Sequence, residues 1–597
     1  MKGISLLKIK DTLFLFAVIA LGVIASRTLL FQSGYFNMHD DLQLMRQLEL
    51  EKCFMDGQIP CRWVPDMGYG FGFPLFNFYP PLPYLFGQIF RWVGFDFITT
   101  VKLTFASAII LSGITMHYLS KEFFGRWGGL LASAFYVWAP YHAVDVYVRG
   151  AMNESWALVW FPLILWSAYK LLTSKKKLVA RWTIVLGVSF TLLMLSHNLM
   201  LLIFTPVLAV WVLLHLILRR SWSRIPNLII SGLLAFGLSA FFTIPAVTEN
   251  KFTQIKSTLV GYYDYSAHFV TIKQLLISRY WDYGPSVWMD ADDRMSFQIG
   301  HLHWILSLLV GILVLGFVVG YLKKPKLFRK VVDIRILLAT GLMVGAGWFA
   351  AFLTHSRSTP IWKAVTPLEY TQFPWRFLTI VIFAFSFAIG FLPYILSNLS
   401  GYRSKALKIL SYPFRAGLVI LIIFVLIGTN WNFFLPEHGK MGPLTDEEKF
   451  SDAAWDLQQT AGIYDYLPST AVTAPKEPMK ELVETMEGEV VVNNTEQGTD
   501  WARMSVSVKS EDAVLRLGIF QFPNWKTYVD GQEVANYVPN TEKWGRMYID
   551  VPRGEHAIEA IFTNTTVRTV SNFISLFTWV GLGAFIVYYH RKKLQLR

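Results

Sequence analysis

Apolar runs of about twenty residues, nearly free of charge, recur from one end of the chain to the other, and they restrict the fold to one that crosses a membrane many times. Candidate spans fall at 12–31, 99–119, 127–144, 155–172, 180–196, 198–218, 226–248, 301–321, 334–354, 376–396, 414–435 and 571–589. That makes about twelve helices of membrane-crossing length. The first run follows Lys2, Lys8 and Lys10 and is long enough to span, so it reads as an uncleaved first helix rather than a removed signal.

Charge orients these spans. A net charge of +13 would point a soluble protein toward nucleic acid. Here the lysines and arginines sit in short clusters between apolar runs, which is the positive-inside pattern, and nucleic acid is set aside as a partner. With the N-terminus inside, the clusters Lys2–Lys10, Lys121–Arg126, Lys170–Arg181, Arg219–Arg224, Lys323–Lys330, Arg403–Lys408 and Arg591–Arg597 all fall on one side. One span more or fewer would scramble that register. The expectation is a multi-pass plasma-membrane protein, surrounded by membrane lipids, with both termini cytoplasmic.

The outside segments are then 32–98, 145–154, the turn at His197, 249–300, 355–375 and 436–570. Within the first, Pro80–Phe95 is apolar and aromatic but too short to span, which suits a helix lying in the interface. The two cysteines, Cys53 and Cys61, share this loop. They are expected to bond in an oxidising compartment, with two free thiols as the alternative. Segment 436–570 is richer in charge and lacks long apolar runs. Residues 504–508 alternate, 514–522 and 557–562 read as strands, and Asp530-Gly531 and Arg553-Gly554 read as hairpin turns. The chain therefore divides into a transmembrane domain, 1–435, which includes the loop 32–98; an extracytoplasmic, mainly β domain, 436–570, roughly a sandwich; and a last helix with a basic tail, 571–597.

Polar residues gather on the outside face of the spans. His39, Asp40 and Asp41 follow the first span; Arg149 and Glu154 lie between the third and fourth; His197 sits at the turn between the fifth and sixth. Arg279 lies in a long outside loop, and Gln372 and Arg376 open the tenth span. An acid at a membrane boundary is costly to bury and so points to function. The bland alternatives are that Asp40 or Asp41 caps the helix that starts at Leu42, that Arg149 and Glu154 pair with each other, that His197 satisfies its turn and that Arg376 anchors at the interface. His301 and His303 do not share a helical face, which argues against a metal there. Acids and cations together at one face suit a lipid-linked phosphate, because arginine forks match phosphate oxygens and a carboxylate can take the proton of an acceptor hydroxyl.

At this point a resemblance enters. His39-Asp40, Ile59-Pro60-Cys61-Arg62-Trp63, Gly68-Tyr69-Gly70, Phe76-Asn77-Phe78-Tyr79-Pro80-Pro81-Leu82 and Ser196-His197-Asn198 resemble bacterial YfhO-like membrane proteins and the related group labelled "6-pyruvoyl-tetrahydropterin synthase-related". Phe522-Pro523-Asn524-Trp525-Lys526, Val529-Asp530-Gly531 and Val551-Pro552-Arg553-Gly554-Glu555-His556 are similar to the C-terminal domain of the YfhO-like proteins. The pterin label is rejected as a function, since that chemistry needs clustered histidines that the chain lacks. An acid in the first outside loop of a many-helix protein also resembles the GT-C glycosyltransferases. The resemblance implies a polytopic α-helical, GT-C-like membrane protein that moves a sugar, with inversion, from a polyprenyl-phosphate donor to a glycan, lipid or protein acceptor outside the cell. In that reading Asp40 and Asp41 are the catalytic candidates, and His39, Arg149, Glu154, His197, Arg279, Gln372 and Arg376 bind substrate. The adjacent Asp40-Asp41 departs from the D-x-D or E-x-D spacing of many such enzymes, so no metal ligand is assigned and a divalent metal cofactor is left open. The competing classes are a lipid or polysaccharide transporter, which should show two halves with broken helices, and a non-catalytic scaffold displaying the β domain.

Overall fold

Each long apolar run folds as a helix, the form in which a chain inside a bilayer satisfies its own N–H and C=O groups. The computed structural model describes residues 2–287, 294–400 and 412–595. Among these, ten helices are long and apolar enough to cross a membrane. The difference from about twelve has two sources. The first expected span is divided into helices Lys2–Ala25 and Arg27–Phe31, and its apolar part, Asp11–Ala25, is short. The second and third expected spans are one helical element, Phe97–Val137, interrupted at Gly125 with φ 72° and ψ −174°. Its two limbs fold back on each other: the Ser133 hydroxyl donates to the Gly113 carbonyl at 2.9 Å. The basic cluster Arg403–Lys408 lies outside the described residues.

The chain forms two compact units, each drawn from separated stretches. The first holds residues 1–41, 99–235 and 261–443. Every residue of its helix Leu378–Ile389 is buried, as expected of a helix apolar all round. Helix Ile334–Leu353 packs closely on it, because a Cβ on Gly347 would lie 2.4 Å from the Phe385 ring. Phe161 and Phe204 stack at 4.3 Å within the same core.

The second unit holds residues 42–98, 236–260 and 444–597. Its centre is one antiparallel sheet of strands β1 (Val483–Glu487), β2 (Val490–Gln497), β3 (Trp501–Phe520), β4 (Trp525–Val529), β5 (Gln532–Val534) and β6 (Arg546–Phe562). The order is β1-β3-β6-β4-β5, with β2 also on β3. This is one sheet rather than the expected sandwich. β3 and β6 pair from Trp501↔Ile561 to Phe520↔Arg546, with a register shift between Val508 and Asp512. Asp530-Gly531 makes the expected two-residue turn, with φ 49° and 79°. Arg553-Gly554 does not turn the chain. It lies within β6 opposite the register shift, where the glycine, φ 140°, accompanies a bulge.

Ala502, Met504, Val506 and Val508 alternate into the core beneath this sheet. Trp63 of the segment 32–98 packs there against Trp525 and Phe562, with ring centroids 5.4 and 5.3 Å away. Cys53 and Cys61 are disulfide-bonded, with Cα atoms 5.5 Å apart. Buried Arg62 donates to Asn77 at 2.9 Å, Asn77 donates to Glu249 at 2.9 Å, and Arg568 donates to Glu249 at 2.8 Å. Two of the motifs that carry the resemblance thus meet in one hydrogen-bonded network. Pro80–Phe95 supplies helix Leu82–Val93, which exposes Ile89, Trp92 and Val93.

Candidate active site

The site is built around a reversal of the chain in the first unit. Helical turn Pro140–Ala143 runs into a wider π-turn, Val144–Val148, and Gly150, φ 62°, lets the chain enter helix Met152–Thr173. Single π-turns recur at functional sites because they re-aim side chains out of the regular helical register. This one carries Asp145. Arg149 follows one turn later, and Glu154 opens the next helix.

These three side chains converge. One Arg149 nitrogen, Nη1, lies 2.5 Å from Asp145 and 2.9 Å from Glu154. The same nitrogen donates to the Tyr141 hydroxyl at 3.2 Å, and Tyr141 donates to Glu154 at 2.9 Å. Asp145 is 0%, Glu154 1% and Arg149 7% exposed, so the charges are held away from water. Arg376 joins them from the start of the Pro374–Leu399 span, with Nε 3.5 Å from Glu154. Two cations then balance two carboxylates, which is what makes such burial tolerable. Burial and the Glu154 carboxylate push the Asp145 carboxyl up, with Arg149 only partly offsetting them. Asp145 Oδ2 and Arg376 Nε are buried without a hydrogen-bond partner among the described residues.

Two stacked rings carry the two cations. Phe373 and Trp375 stack at 4.7 Å, Arg149 lies over Trp375 at 4.5 Å, and Arg376 lies over Phe373 at 4.9 Å. Arg376 Nη1 donates to the Thr371 carbonyl at 2.8 Å and to the Gln372 side-chain carbonyl at 3.0 Å. Gln372 itself adopts φ 62° and ψ −45°, and the Phe373 N–H reaches back to the Thr371 carbonyl at 2.6 Å. That closes a three-residue γ-turn of the strained hand, which costs about 1–3 kcal/mol for a residue other than glycine.

His197 is the N-cap of helix Asn198–Arg219. Its Nδ1 accepts from the N–H groups of Leu199 at 3.1 Å and Met200 at 3.4 Å. A ring whose Nδ1 accepts carries its proton on Nε2. Burial first, and then the Arg376 charge, push this imidazole down to about 3, so it is neutral and electrostatically coupled to the cluster. The capping role and proximity to the charges hold together.

The first-loop residues are tied to the same reversal by backbone bonds. The His39 N–H donates to the Val148 carbonyl at 3.0 Å and the Asp40 N–H to the Arg149 carbonyl at 2.9 Å. Gly150 is needed here on two counts: its φ is left-handed, and a Cβ would lie 2.2 Å from Met38 Sδ. His39 Nε2 meets the Tyr283 carbonyl at 2.9 Å. Asp40 and Asp41 are half-buried. The helix that follows, Gln43–Asp56, has Leu42 at its N-cap position. Arg279 is not brought to the cluster. It is exposed, donates to the Thr429 carbonyl and lies over Phe433 at 5.0 Å.

No metal site emerges from the donor set. Among the described residues no three His, Cys, Asp or Glu side chains are arranged to hold one. The two buried carboxylates already share Arg149, which occupies the position a cation would take. His301 and His303 meet the carbonyls of Ile277 and Phe135 at 3.0 and 2.8 Å. Asp290, Asp292 and Asp293 lie outside the described residues.

Sequence reasoning missed Asp145, Tyr141 and Thr371. Asp145 is a lone acid in Ala143-Val144-Asp145-Val146-Tyr147-Val148, one residue past the expected end of a span, and its isolation among apolar residues is a usable signal.

No family model matches the chain. An uncharacterized protein of Lactococcus lactis subsp. cremoris (strain MG1363) is 25% identical over 266 residues, which is 42% of this chain and 42% of that protein. Among solved structures, the chain is similar to the archaeal oligosaccharyltransferase AglB from Archaeoglobus fulgidus in complex with an inhibitory peptide and a dolichol-phosphate. That likeness has 14% identity and a TM-score of 0.42, and it covers 80% of this chain and 62% of the other. It is also similar to ArnT from Cupriavidus metallidurans bound to undecaprenyl phosphate, at 11% identity and a TM-score of 0.36, covering 71% of each chain. Both scores lie below 0.5, too low to assign a function. The chain spans less than two thirds of the Lactococcus and archaeal proteins it matches.

Proposed function

We propose that this protein is a GT-C-type membrane glycosyltransferase that moves a sugar from a polyprenyl-phosphate donor to a hydroxyl of a glycan, lipid or protein acceptor outside the cytoplasm, with both termini cytoplasmic. One observation carries the reading. Asp40 is held by its own backbone against Arg149, beside a buried cluster of two carboxylates and two guanidinium groups at the ends of candidate membrane spans. The motifs that resemble YfhO-like proteins fit the same reading.

The chemistry divides among the residues. The acceptor oxygen attacks the anomeric carbon as the bond to the phosphate oxygen breaks, and the phosphate leaves with the bonding pair. The acceptor proton passes to Asp40, which is within reach of solvent and therefore of an acceptor. Arg376 faces the departing phosphate, where a fixed cation stabilises developing negative charge. Arg149 stays with Asp145 and Glu154 and fixes their positions. No step is routed through a metal.

The test uses purified protein in sealed vesicles, oriented with the cytoplasmic face inside. It is supplied from outside with polyprenyl-phosphate hexoses and cell-envelope acceptors, and release of polyprenyl phosphate is read. Asp40→Asn keeps shape and removes the charge, so transfer should fall by about 10²-fold or more while protein yield holds, the range expected of a lost general base. Undiminished transfer by Asp40→Asn ends the base role. Transfer seen only when the acceptor is enclosed reverses the orientation.

A further inference from the structure

Gln372 was expected among the substrate-binding residues, yet its side chain is turned to Arg376. We infer that Gln372 is a positioning residue, and that the γ-turn centred on it aims the Arg376 guanidinium at a phosphate-type anion. This rests on the transferase reading for the identity of the anion.

Several features make the turn more than a loop accident. The Thr371 carbonyl accepts twice, from the Phe373 N–H at 2.6 Å and from Arg376 Nη1 at 2.8 Å. The Gln372 side-chain carbonyl accepts from that same nitrogen at 3.0 Å. A backbone carbonyl and the next residue's side chain thus converge on one nitrogen. Pro374 holds the turn from its other side, since a residue before proline is confined to extended backbone, and Phe373 is extended, with φ −121° and ψ 106°. The turn also sets Phe373 against Trp375, and each ring carries one guanidinium. Nη1 is gripped by the turn and Nε is set toward Glu154, so the Nη2 edge of Arg376 is the one assigned to the anion. A strained residue that fixes a cation in this way fits the tendency of backbone strain to collect at ligand clamps.

The experiment measures binding rather than transfer. Full-length protein in detergent is titrated with undecaprenyl phosphate, and separately with undecaprenol, which lacks the phosphate, following the thermal shift. Wild type should respond to the phosphate and not to the alcohol. Gln372→Ala removes the amide and keeps the strained backbone. Gln372→Gly removes the amide and relieves the strain. Both should weaken phosphate binding by about tenfold, the worth of one charge-assisted hydrogen bond. In an Arg376→Ala background neither should weaken it further, because the two residues act through one contact.

Gln372→Gly should also keep or raise the melting temperature of the ligand-free protein, which separates lost aim from lost folding. The inference is overturned if Gln372→Ala binds like wild type, or if it weakens binding equally with and without Arg376. If wild type itself does not distinguish phosphate from alcohol, the transferase reading falls as well.

Discussion

Arg149 bridges two carboxylates with one nitrogen, and removing it leaves Asp145 and Glu154 buried with Arg376, near Glu154, as the remaining cation of the cluster. Breaking a buried pair in this way typically costs about 3–5 kcal/mol. Arg149→Ala should therefore lower the melting temperature sharply, while the double change Arg149→Ala with Asp145→Asn should recover part of the loss. An Arg149→Ala protein as stable as wild type would contradict the charge balance described for the cluster. At this scale much of the site was legible. His39, Asp40, Arg149, Glu154, His197, Gln372 and Arg376 stand out in the sequence because charged and polar groups are rare beside apolar runs. Asp145 was missed although its isolation among apolar residues marks it, because the π-turn that carries it has no sequence period of its own. Arg279 has the same look as Arg376 but is exposed and lies over Phe433, away from the cluster, a difference only tertiary structure decides.

Helices could be located from apolar runs, since length and lack of charge alone mark them. Turns were harder. Asp530-Gly531 and Arg553-Gly554 look alike as dipeptides, but only the first has a partner strand, β5, close enough to fold back upon. In the segment 42–98, helix Gln43–Asp56 buries Glu49 completely, beside Asp66 and Lys52. Burial and the Asp66 carboxylate raise the Glu49 carboxyl well above its ordinary 4.5, with Lys52 opposing them. An acid that binds its proton more tightly when folded favours folding at low pH. Stability is lost as pH rises from the unfolded value toward the folded one, and the deficit is then constant. Glu49→Gln should therefore match wild type in melting temperature at pH near 4 and exceed it increasingly above about 4.5. A difference that is flat across pH, or that grows toward acid, would contradict this account.

The two units of the whole molecule each gather stretches far apart in the chain. The loop 42–98 belongs to the unit that holds the sheet, through contacts such as Trp63 on Phe562, and no local pattern announces a pairing across that much chain. Within the first unit, helix Met152–Thr173 has Glu154 in its first turn and Lys170 in its last. That polarity, the candidate site's acid at one end and a basic residue at the other, can be read from charge alone, and the proposed orientation rests on it. The most direct test of the central claim is a structure of the full chain with a polyprenyl phosphate bound. The phosphate should lie against the Arg376 guanidinium, on the side of the cluster where Asp40 is tied to Arg149. A phosphate seated elsewhere, with Arg376 still committed only to Thr371, Gln372 and Glu154, would contradict the account.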